Sequence, residues 1–335
     1  MGKWRKDLSM QIVGKRLCTL WVGVTLALWA MAAFAQTYPN KPIHFIVPYP
    51  PGGIVDVLGR VLGDRLSKAV GQSVIVENRP GAGGSLGTAI VAKSVPDGYT
   101  LLVGASAPLA TGLSLYPNLN YDVMKDLTAV TLIANSDLVI TANPGLPVAS
   151  LKDLVSLARA KPGSIKVGVP SAGSMHHLII EELGLKTNTK VILVPYKGEP
   201  PMLNDLLGGH LDIGVFNIAG AVPHIRQKAL MPLVVTSRKR SELLPAVPTT
   251  AEAGYPGLVA DPWFAIMAPG GTPKEVVNKL TAELTKILNS PEVKKRFTDF
   301  GVTAISSTPE QTSAFIADEI ARWAKVVKDS GAKFE

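Results

Sequence analysis

Apolar positions between Ile43 and Leu66 change their spacing halfway along the segment. Ile43–Val47 is a short continuous apolar run, which is typical of a buried strand. From Val55 to Leu66 the apolar residues recur at helical spacing, and a Pro- and Gly-rich turn ending in Gly52-Gly53 lies between the two parts. The segment therefore predicts a strand, a tight turn and a helix.

The same alternation of strands and helices continues along the chain. Further strands are predicted at Ser73–Glu77, Thr100–Gly104, Leu127–Ile133, Leu138–Ala142, Ile165–Val169, Val191–Pro195, Leu211–Phe216, Leu230–Thr236 and Trp263–Ala268. Helices are predicted through Val91, from Ser150 to Ala160, at His177–Leu185, through Leu207 and at Ala219–Lys228. After Trp263–Ala268 the chain is predicted to be wholly helical, in three helices that begin near Pro273, Pro291 and Pro309.

This order of elements predicts an α/β protein whose sheets are mainly parallel. The chain is expected to cross to a second domain after Leu127–Ile133 and to return at Trp263–Ala268. The expected division is residues 36–137 with 262–335 as the first domain and residues 138–261 as the second, joined by a hinge.

The first 35 residues have the pattern of a secretory signal peptide. Lys3, Arg5, Lys6, Lys15 and Arg16 precede an uncharged run, and Ala33-Phe34-Ala35 places small residues at a cleavage site. Cleavage after Ala35 is expected and would place the mature chain in the periplasm. The run is slightly long for a signal, so an uncleaved anchor is the alternative.

Composition and charge exclude several classes of function. The only cysteine lies in the leader, so the mature chain has no disulfide and no cysteine metal ligand. The leader carries five Lys/Arg and one Asp, so its removal lowers the formal net charge from +8 to +4. That charge is mild, and no basic run with interleaved aromatics is present, so a nucleic-acid partner is not expected.

The strongest candidate chemistry is an anion site at Gly52-Gly53. A helix that follows a strand through glycines leaves its first N–H groups unpaired, and these groups and the helix dipole attract anions. The alternative is that the two glycines only make the turn. The loop Gly81–Gly87 resembles a dinucleotide fingerprint, but its glycine spacing is wrong, so tight packing is the favoured interpretation and no cofactor is predicted.

Catalytic and metal-binding patterns are weak. Ser106 follows Gly104 as in half of a nucleophile elbow, but Pro108 replaces the second glycine and no Asp or His completes a triad. His176 and His177 are adjacent, so their side chains point in different directions, and no carboxylate pattern completes a metal site. Structural or capping roles are therefore favoured for both histidines, and no catalytic residue is predicted.

Ordered motifs along the whole mature chain carry a resemblance to a known family. The motifs are Val47-Pro48 with Pro51-Gly52-Gly53 and Asp56, Val76-Glu77-Asn78-Arg79-Pro80-Gly81, Pro96-Asp97-Gly98-Tyr99, Ser171-Ala172-Gly173-Ser174 with His177-Leu178, Pro195-Tyr196-Lys197-Gly198, Val247-Pro248-Thr249 and Ala268-Pro269. In these motifs the sequence resembles the periplasmic substrate-binding proteins of tripartite tricarboxylate transporters, the Bug-type or TctC family. The resemblance implies a type II Venus-flytrap fold, with a ligand closed between two domains.

The resemblance also implies the residues that bind the ligand, which in this family is mostly a small carboxylate. By position, the first domain would contribute Tyr49, Gly52, Gly53, Asp56 and Ser106, and the second would contribute Ser171, Ser174, Lys197 and Gly198. Asp56 is expected to order the loop or cap the helix, since a carboxylate repels an anion. The implied partners are the permease subunits of such a transporter, and a monomer is expected.

One position departs from the family pattern. Many relatives have Phe-Asp-Asn where this chain has Val215-Phe216-Asn217. Phe216 in place of an acid predicts a ligand with an apolar or aromatic body and at least one carboxylate, with Phe216 and Asn217 as contacts. Two alternatives stay open: a sensor that passes its ligand to a membrane receptor, and a secreted α/β hydrolase with Ser106 as nucleophile.

Overall fold

The computed structural model describes residues 38–115 and 119–331, so the predicted leader and its cleavage site lie outside the described residues. The residues from Pro42 onward form one compact unit, and the described part of this unit contains two β-sheets with helices between the strands. The α/β class predicted from the sequence is confirmed.

The strands, numbered in chain order, are β1 Ile43–Val47, β2 Val74–Asn78, β3 Thr100–Ala105, β4 Leu127–Ser136, β5 Leu138–Ala142, β6 Lys166–Val169, β7 Ile192–Pro195, β8 Ile213–Asn217, β9 Met231–Val235, β10 Trp263–Pro269 and β11 Val302–Ala304. The helices are α1 Ile54–Val70, α2 Ser85–Ala92, α3 Ser106–Leu109, α4 Val123–Asp126, α5 Leu151–Ala160, α6 Met175–Thr187, α7 Glu199–Leu207, α8 Ile218–Arg226, α9 Lys274–Asn289, α10 Pro291–Asp299 and α11 Pro309–Ser330. Short 3₁₀ turns lie at Ala82–Gly84 and Thr111–Ser114.

The first sheet has the strand order β11-β4-β10-β3-β1-β2, and the second has the order β7-β6-β8-β5-β9. Four of the six described strands of the first sheet and four of the five of the second run in one direction, so the prediction of mainly parallel sheets is confirmed. The pairs β1–β2, β1–β3, β6–β7 and β6–β8 are parallel. The other pairings are antiparallel, and four of these five involve β5 or β10. These two strands enter their sheet from the other sheet, so they begin at the edge where their neighbours end.

The C-terminal part is not wholly helical, which corrects a prediction made from the sequence. Val302–Ala304 pairs antiparallel with β4 and forms an edge strand of the first sheet. Three residues are too short for an alternating pattern, so their sequence carries no recognisable strand signal. The three helices predicted around this strand are present.

Helix α1 packs on the first sheet through the stripe that its sequence predicts. Leu58, Leu62 and Leu66 have no exposed surface, and Val55 is also buried. Each such side chain contributes about 1.5–3 kcal/mol of hydrophobic free energy, which fixes the helix on the sheet and its first turn at the sheet edge. In residues 38–115 and 119–331, no helix is both long enough and apolar enough to cross a membrane.

Candidate functional site

A cavity of about 430 Å³, here called the first cavity, lies at the carboxyl ends of parallel strands from both sheets. It is reached by the loops after β1 and β3 in the first sheet, and by the loop after β6 and the end of β8 in the second. Its described lining residues are Tyr49, Pro50, Pro51, Gly53, Ile54, Val55, Ala105, Ser106, Ala107, Ser174, Met175, His176, Asn217, Pro262 and Phe264. Ligands of open α/β sheets commonly bind at this edge.

Helix α1 begins at the wall of the first cavity. Gly53 is its N-cap residue, and Gly53, Ile54 and Val55 all line the cavity. Since glycine has no side chain to cap the helix, the first N–H groups stay available to whatever occupies the cavity. With the dipole of a 17-residue helix behind them, these groups favour a bound anion.

Asp56 holds the loop before this helix from behind and does not line the cavity. Its buried carboxylate accepts hydrogen bonds from the Gly52 amide at 2.9 Å, from Asn78 Nδ2 at 2.8 Å and from Arg60 Nε at 3.0 Å. Burial raises the pKa of Asp56, but these hydrogen bonds and the charge of Arg60 outweigh it and hold the pKa below the usual aspartate value. The Gly52 N–H is therefore hydrogen-bonded to Asp56. The φ of Gly52, +84°, suits a residue without Cβ.

We expect the change Asp56→Ala to destabilise the protein and to weaken ligand binding. It removes the acceptor of the Gly52 N–H and one of the two acceptors of Asn78 Nδ2, and each lost hydrogen bond costs about 0.5–1.5 kcal/mol because neither residue is fully buried. Urea unfolding and a ligand titration would measure the two effects. Asp64→Ala is the control, because Asp64 is an exposed residue two turns further along the same helix. Equal binding by both variants would contradict the loop-ordering role.

The glycine-rich loop from Gly81 to Gly87 supports the cavity wall by close packing. A Cβ on Gly87 would lie 2.8 Å from the backbone of Pro48 and 2.8 Å from the Arg79 carbonyl oxygen. The Tyr49 hydroxyl donates to the Gly83 carbonyl at 3.2 Å, so this loop also fixes one lining side chain. The loop thus has a packing role that agrees with the favoured interpretation of its sequence.

Ser106 lies at the end of β3, where α3 begins. It is 7% exposed and lines the first cavity together with Ala105 and Ala107. Ala105 pairs with Phe264 of β10, so the start of β10 lies beside this loop. Pro262 and Phe264 line the cavity for this reason, and sequence reasoning missed both of them.

Helix α6 brings a second N-terminus to the first cavity, from the second sheet. Its N-cap Ser174 accepts a hydrogen bond from the His177 N–H and donates one to the Ser171 carbonyl at 2.8 Å. Ser174, Met175 and His176 line the cavity. Ser171 is exposed and contributes its carbonyl to the turn, so the structure does not bring its side chain to the cavity.

The adjacent histidines have different environments. His177 Nδ1 accepts from the Gly173 N–H at 3.1 Å, and its Nε2 lies 3.4 Å from Glu181, so it orders the loop and helix α6. His176 lines the first cavity. Among the described residues, no three His, Cys, Asp or Glu side chains form a group that could hold a metal ion.

Lys197 and Gly198 are not among the residues that line the first cavity. Lys197 is exposed, and the Gly198 N–H donates to the Pro170 carbonyl at 2.8 Å. The preceding Tyr196 donates its hydroxyl to Asp205 at 2.5 Å, and burial with this carboxylate raises the pKa of Tyr196 to about 12. The motif therefore fixes the start of helix α7, and the residue that it places near the cavity is Glu199.

Phe216 and Asn217 point to opposite faces of strand β8, as neighbours in a strand do. Asn217 lines the first cavity. The Phe216 side chain is 1% exposed and packs in the core of the second sheet with Val139, Met202 and Leu206. The structure thus assigns Phe216 to the core and not to the cavity, which corrects its prediction as a ligand contact.

A second cavity of about 460 Å³ lies where the chain passes between the sheets. Asn135, Asp137 and Arg238 line it together with Asp261, whose Oδ1 is buried without a hydrogen-bond partner among the described residues. Burial and the neighbouring Asp137 carboxylate raise the pKa of Asp261 to about 8, against the opposing effect of Arg238.

Two sheets that share a cavity at the carboxyl ends of their parallel strands are the arrangement expected of a protein that binds a small ligand between them. Comparisons with known proteins identify the family. The family model "Tripartite tricarboxylate transporter family receptor" (TctC) matches residues 58–332, and the chain belongs to this family. The resemblance found in the sequence motifs is confirmed, and the family is one of solute-binding receptors.

Relatives and solved structures agree with this assignment. Protein BugT of Bordetella pertussis is 45% identical over 317 residues, which are 94% of this chain and 97% of BugT. The R. palustris protein Rpa4515 with adipate is 35% identical, with a TM-score of 0.76 over 89% of this chain and 100% of that chain. MatC from Rhodopseudomonas palustris with bound malate is 31% identical, with a TM-score of 0.72 over 87% of this chain and 100% of that chain.

Proposed function

We propose that this protein binds a small carboxylate in the first cavity and delivers it to the membrane permease of a tripartite tricarboxylate transporter. The observation that carries the proposal is that helices α1 and α6, from different sheets, begin at the same cavity. Two helix N-termini favour an anion without a basic side chain. Two solved relatives hold adipate and malate, which are carboxylates, and this supports the same class for this chain.

The proposed contacts are residues that line the cavity. Backbone N–H groups at Gly53 and its successors would bind the carboxylate, with the Ser106 hydroxyl and the Asn217 amide as further donors. The Tyr49 and Ser174 hydroxyls already donate to the Gly83 and Ser171 carbonyls, so these two side chains would contact the ligand without donating to it. Pro50, Val55, Met175 and Phe264 would pack against an apolar body.

We further propose two domains that move on ligand binding. All strands of the second sheet lie in residues 138–235, and those of the first sheet lie before residue 137 or after residue 262. This distribution supports a division into residues 36–137 with 262–335 and residues 138–261. A ligand that contacts both sheets at once would shift the population towards a closed form, which the permease would recognise.

The cellular location and the oligomeric state are also proposed, by analogy with the family. The chain would be exported to the periplasm by its leader, cleaved after Ala35, and would act as a monomer. We propose binding without catalysis, because the family is one of receptors and Pro108 prevents Ser106 from forming a nucleophile elbow. A sensor that uses the same cavity would differ only in its membrane partner.

Thermal unfolding against a panel of carboxylates tests the proposed function. The mature protein would be unfolded, dialysed and refolded to remove any ligand from the expression host. We expect a saturable rise in Tm with at least one mono-, di- or tricarboxylate, because a ligand that binds only the folded state stabilises it. The corresponding primary amides are the control, since they keep the shape and lose the charge. No rise with any acid, or an equal rise with its amide, would contradict the proposal.

A further inference from the structure

Helix α6 of the second sheet is covered on every side. Its residues from Met175 to Ile180 are all buried, and a run of this length covers about 1.7 turns of helix. Strand β8 and helix α11 both pack against α6. Since α11 follows the strands of the first sheet along the chain, its packing on α6 joins the two proposed domains.

Helix α11 is anchored on the first sheet by hydrogen bonds before its start and along its length. Just before the helix, Ser307 donates its N–H to Thr131 Oγ1 at 3.1 Å and accepts from the Leu132 N–H at 3.0 Å, both in β4. Further along, Glu319 Oε2 accepts from the indole N–H of Trp263, the first residue of β10, at 3.0 Å. The part of α11 up to Glu319 therefore moves with the first sheet.

The last turns of α11 reach helix α6 through Arg322. Its Nη2 donates to Glu182 Oε2 at 2.6 Å and to the Val259 carbonyl at 2.5 Å. Its guanidinium carbon lies 4.4 Å from the centroid of the Trp323 ring, and Trp323 has no exposed surface. Arg322 is thus held in one direction, and the groups that it binds on α6 and beyond lie in residues 138–261.

Glu182 depends on this arginine because it is buried. The residue is 8% exposed, and Lys186, on an exposed side chain, places its Nζ only within 3.5 Å of Glu182 Oε1. A buried carboxylate that loses its partner is strongly unfavourable. In a form where α6 leaves α11, water would replace each partner around the other, so both charges could separate without staying buried.

The position of Glu182 on α6 connects this ion pair with the first cavity. Ser174, the N-cap residue of α6, lines the cavity, and Glu182 follows about 12 Å further along the helix. Beside the N-cap, a Cβ on Gly173 would overlap the Leu115 side chain of the first domain. The two domains are thus in contact at the cavity end of α6 as well as at Glu182, as expected of a closed form.

We propose that Arg322 is a latch between the domains, which pairs with Glu182 in the closed form and releases it when the protein opens. The inference rests on the proposed movement of residues 138–261 against residues 36–137 and 262–335. That movement carries α6 away from α11, so the ion pair has to break. Each closure restores a hydrogen bond between charged groups and brings the N-terminus of α6 to the cavity. Arg322 is therefore a positioning residue that acts on the ligand through α6.

Distances between spin labels in the two domains test this inference. The mature chain has no cysteine, so Ser156→Cys in α5 and Ala282→Cys in α9, both at exposed positions, would carry the only labels. Pulsed EPR of the refolded protein would be recorded alone and with a mixture of adipate, malate and succinate. We expect a short and a long distance, with the short one more populated in the mixture. Arg322→Gln should lower the ratio of short to long about 10- to 100-fold in both samples, because a hydrogen bond between charged groups is lost.

Two further variants separate a latch from a general loss of stability. The double variant Glu182→Gln/Arg322→Gln replaces both ions with amides, so no buried charge lacks its partner and the short distance should return. Arg65→Gln breaks an ion pair with Glu292 inside the first domain, and its distances should match those of wild type. A lower urea midpoint for Arg322→Gln with unchanged distances would overturn the inference, because the ion pair would then be a permanent brace. A double variant as open as Arg322→Gln would also overturn it.

The failures of the two proposals are distinguishable. If Arg322→Gln lengthens the distances, but no acid of the mixture or of the wider panel shortens them in wild type or raises its Tm, the latch stands and the carboxylate function fails. If the mixture shortens the distances equally in wild type and in Arg322→Gln, the function stands and the latch is overturned. A single distance shared by both proteins in every sample would overturn the latch, since no movement would then break the ion pair.

Discussion

Replacing Asp261 with asparagine should stabilise the protein by an amount that grows as the pH rises. The pKa of Asp261 is raised to about 8 in the folded protein, whereas an unfolded aspartate titrates near pH 3.9. Between these values the folded state binds more protons than the unfolded state, so wild type loses stability as the pH increases. The loss approaches about 1.4 kcal/mol per pH unit and stops above the folded pKa.

Urea unfolding at unit intervals from about pH 4 to pH 9 would measure this effect. We expect the free energy of unfolding of Asp261→Asn to rise relative to wild type up to about pH 8 and then to stay level, because asparagine carries no charge into the buried site. Asp64→Asn is the matched control, since Asp64 is exposed and its change should give no such rise. Parallel pH profiles for Asp261→Asn and wild type would contradict the buried-carboxylate explanation.

Replacing Phe216 with alanine should lower the free energy of unfolding by about 3–5 kcal/mol without changing which ligand is preferred. The side chain is 1% exposed in the core of the second sheet, so its removal leaves a cavity that the neighbouring side chains fill only in part. The loss is a large share of the stability of an ordinary domain.

The matched control for this prediction is Phe264→Ala. Phe264 is also buried in a strand, at 5% exposure, but it lines the first cavity. Both variants should unfold at lower urea concentration, whereas only Phe264→Ala should change the relative affinities for a series of carboxylates. A changed ligand preference in Phe216→Ala would contradict its assignment to the core and support the interpretation made from sequence.

Local patterns predicted most of the elements. Ile43–Val47 and Leu138–Ala142 have the predicted bounds, because each is a short apolar run with clear end signals. The mixed pairing was not predictable in this way, since strand direction depends on where β5 and β10 enter their sheets. The sequence does not predict strand β11, because its three residues pair only with β4, which is far away in the sequence.

The residues of the candidate site also divide into those that the sequence predicts and those that it does not. Sequence motifs pointed to Tyr49, Gly53, Ser106 and Ser174, which lie in loops with strong turn signals and line the first cavity. Phe216 was misplaced because one residue of register in a strand decides between the core and the cavity. A pair of adjacent histidines carries no information about which one faces a cavity, so sequence reasoning favours a structural role for both. Only the coordinates show that His176 lines the first cavity and that His177 does not.

The position of β10 between β3 and β4 has a consequence for the order in which the chain can fold. During synthesis β3 and β4 emerge early, but the strand that joins them is Trp263–Pro269, which emerges after every strand of the second sheet. The second sheet draws all its strands from one continuous stretch and has its pairing partners as soon as that stretch is complete. Until β10 emerges, β3 has one unpaired edge and β4 has two, because the other neighbour of β4 is β11, which emerges later still, and unpaired edges promote aggregation. A chaperone that protects the nascent chain would therefore be needed longest at the edges of β3 and β4.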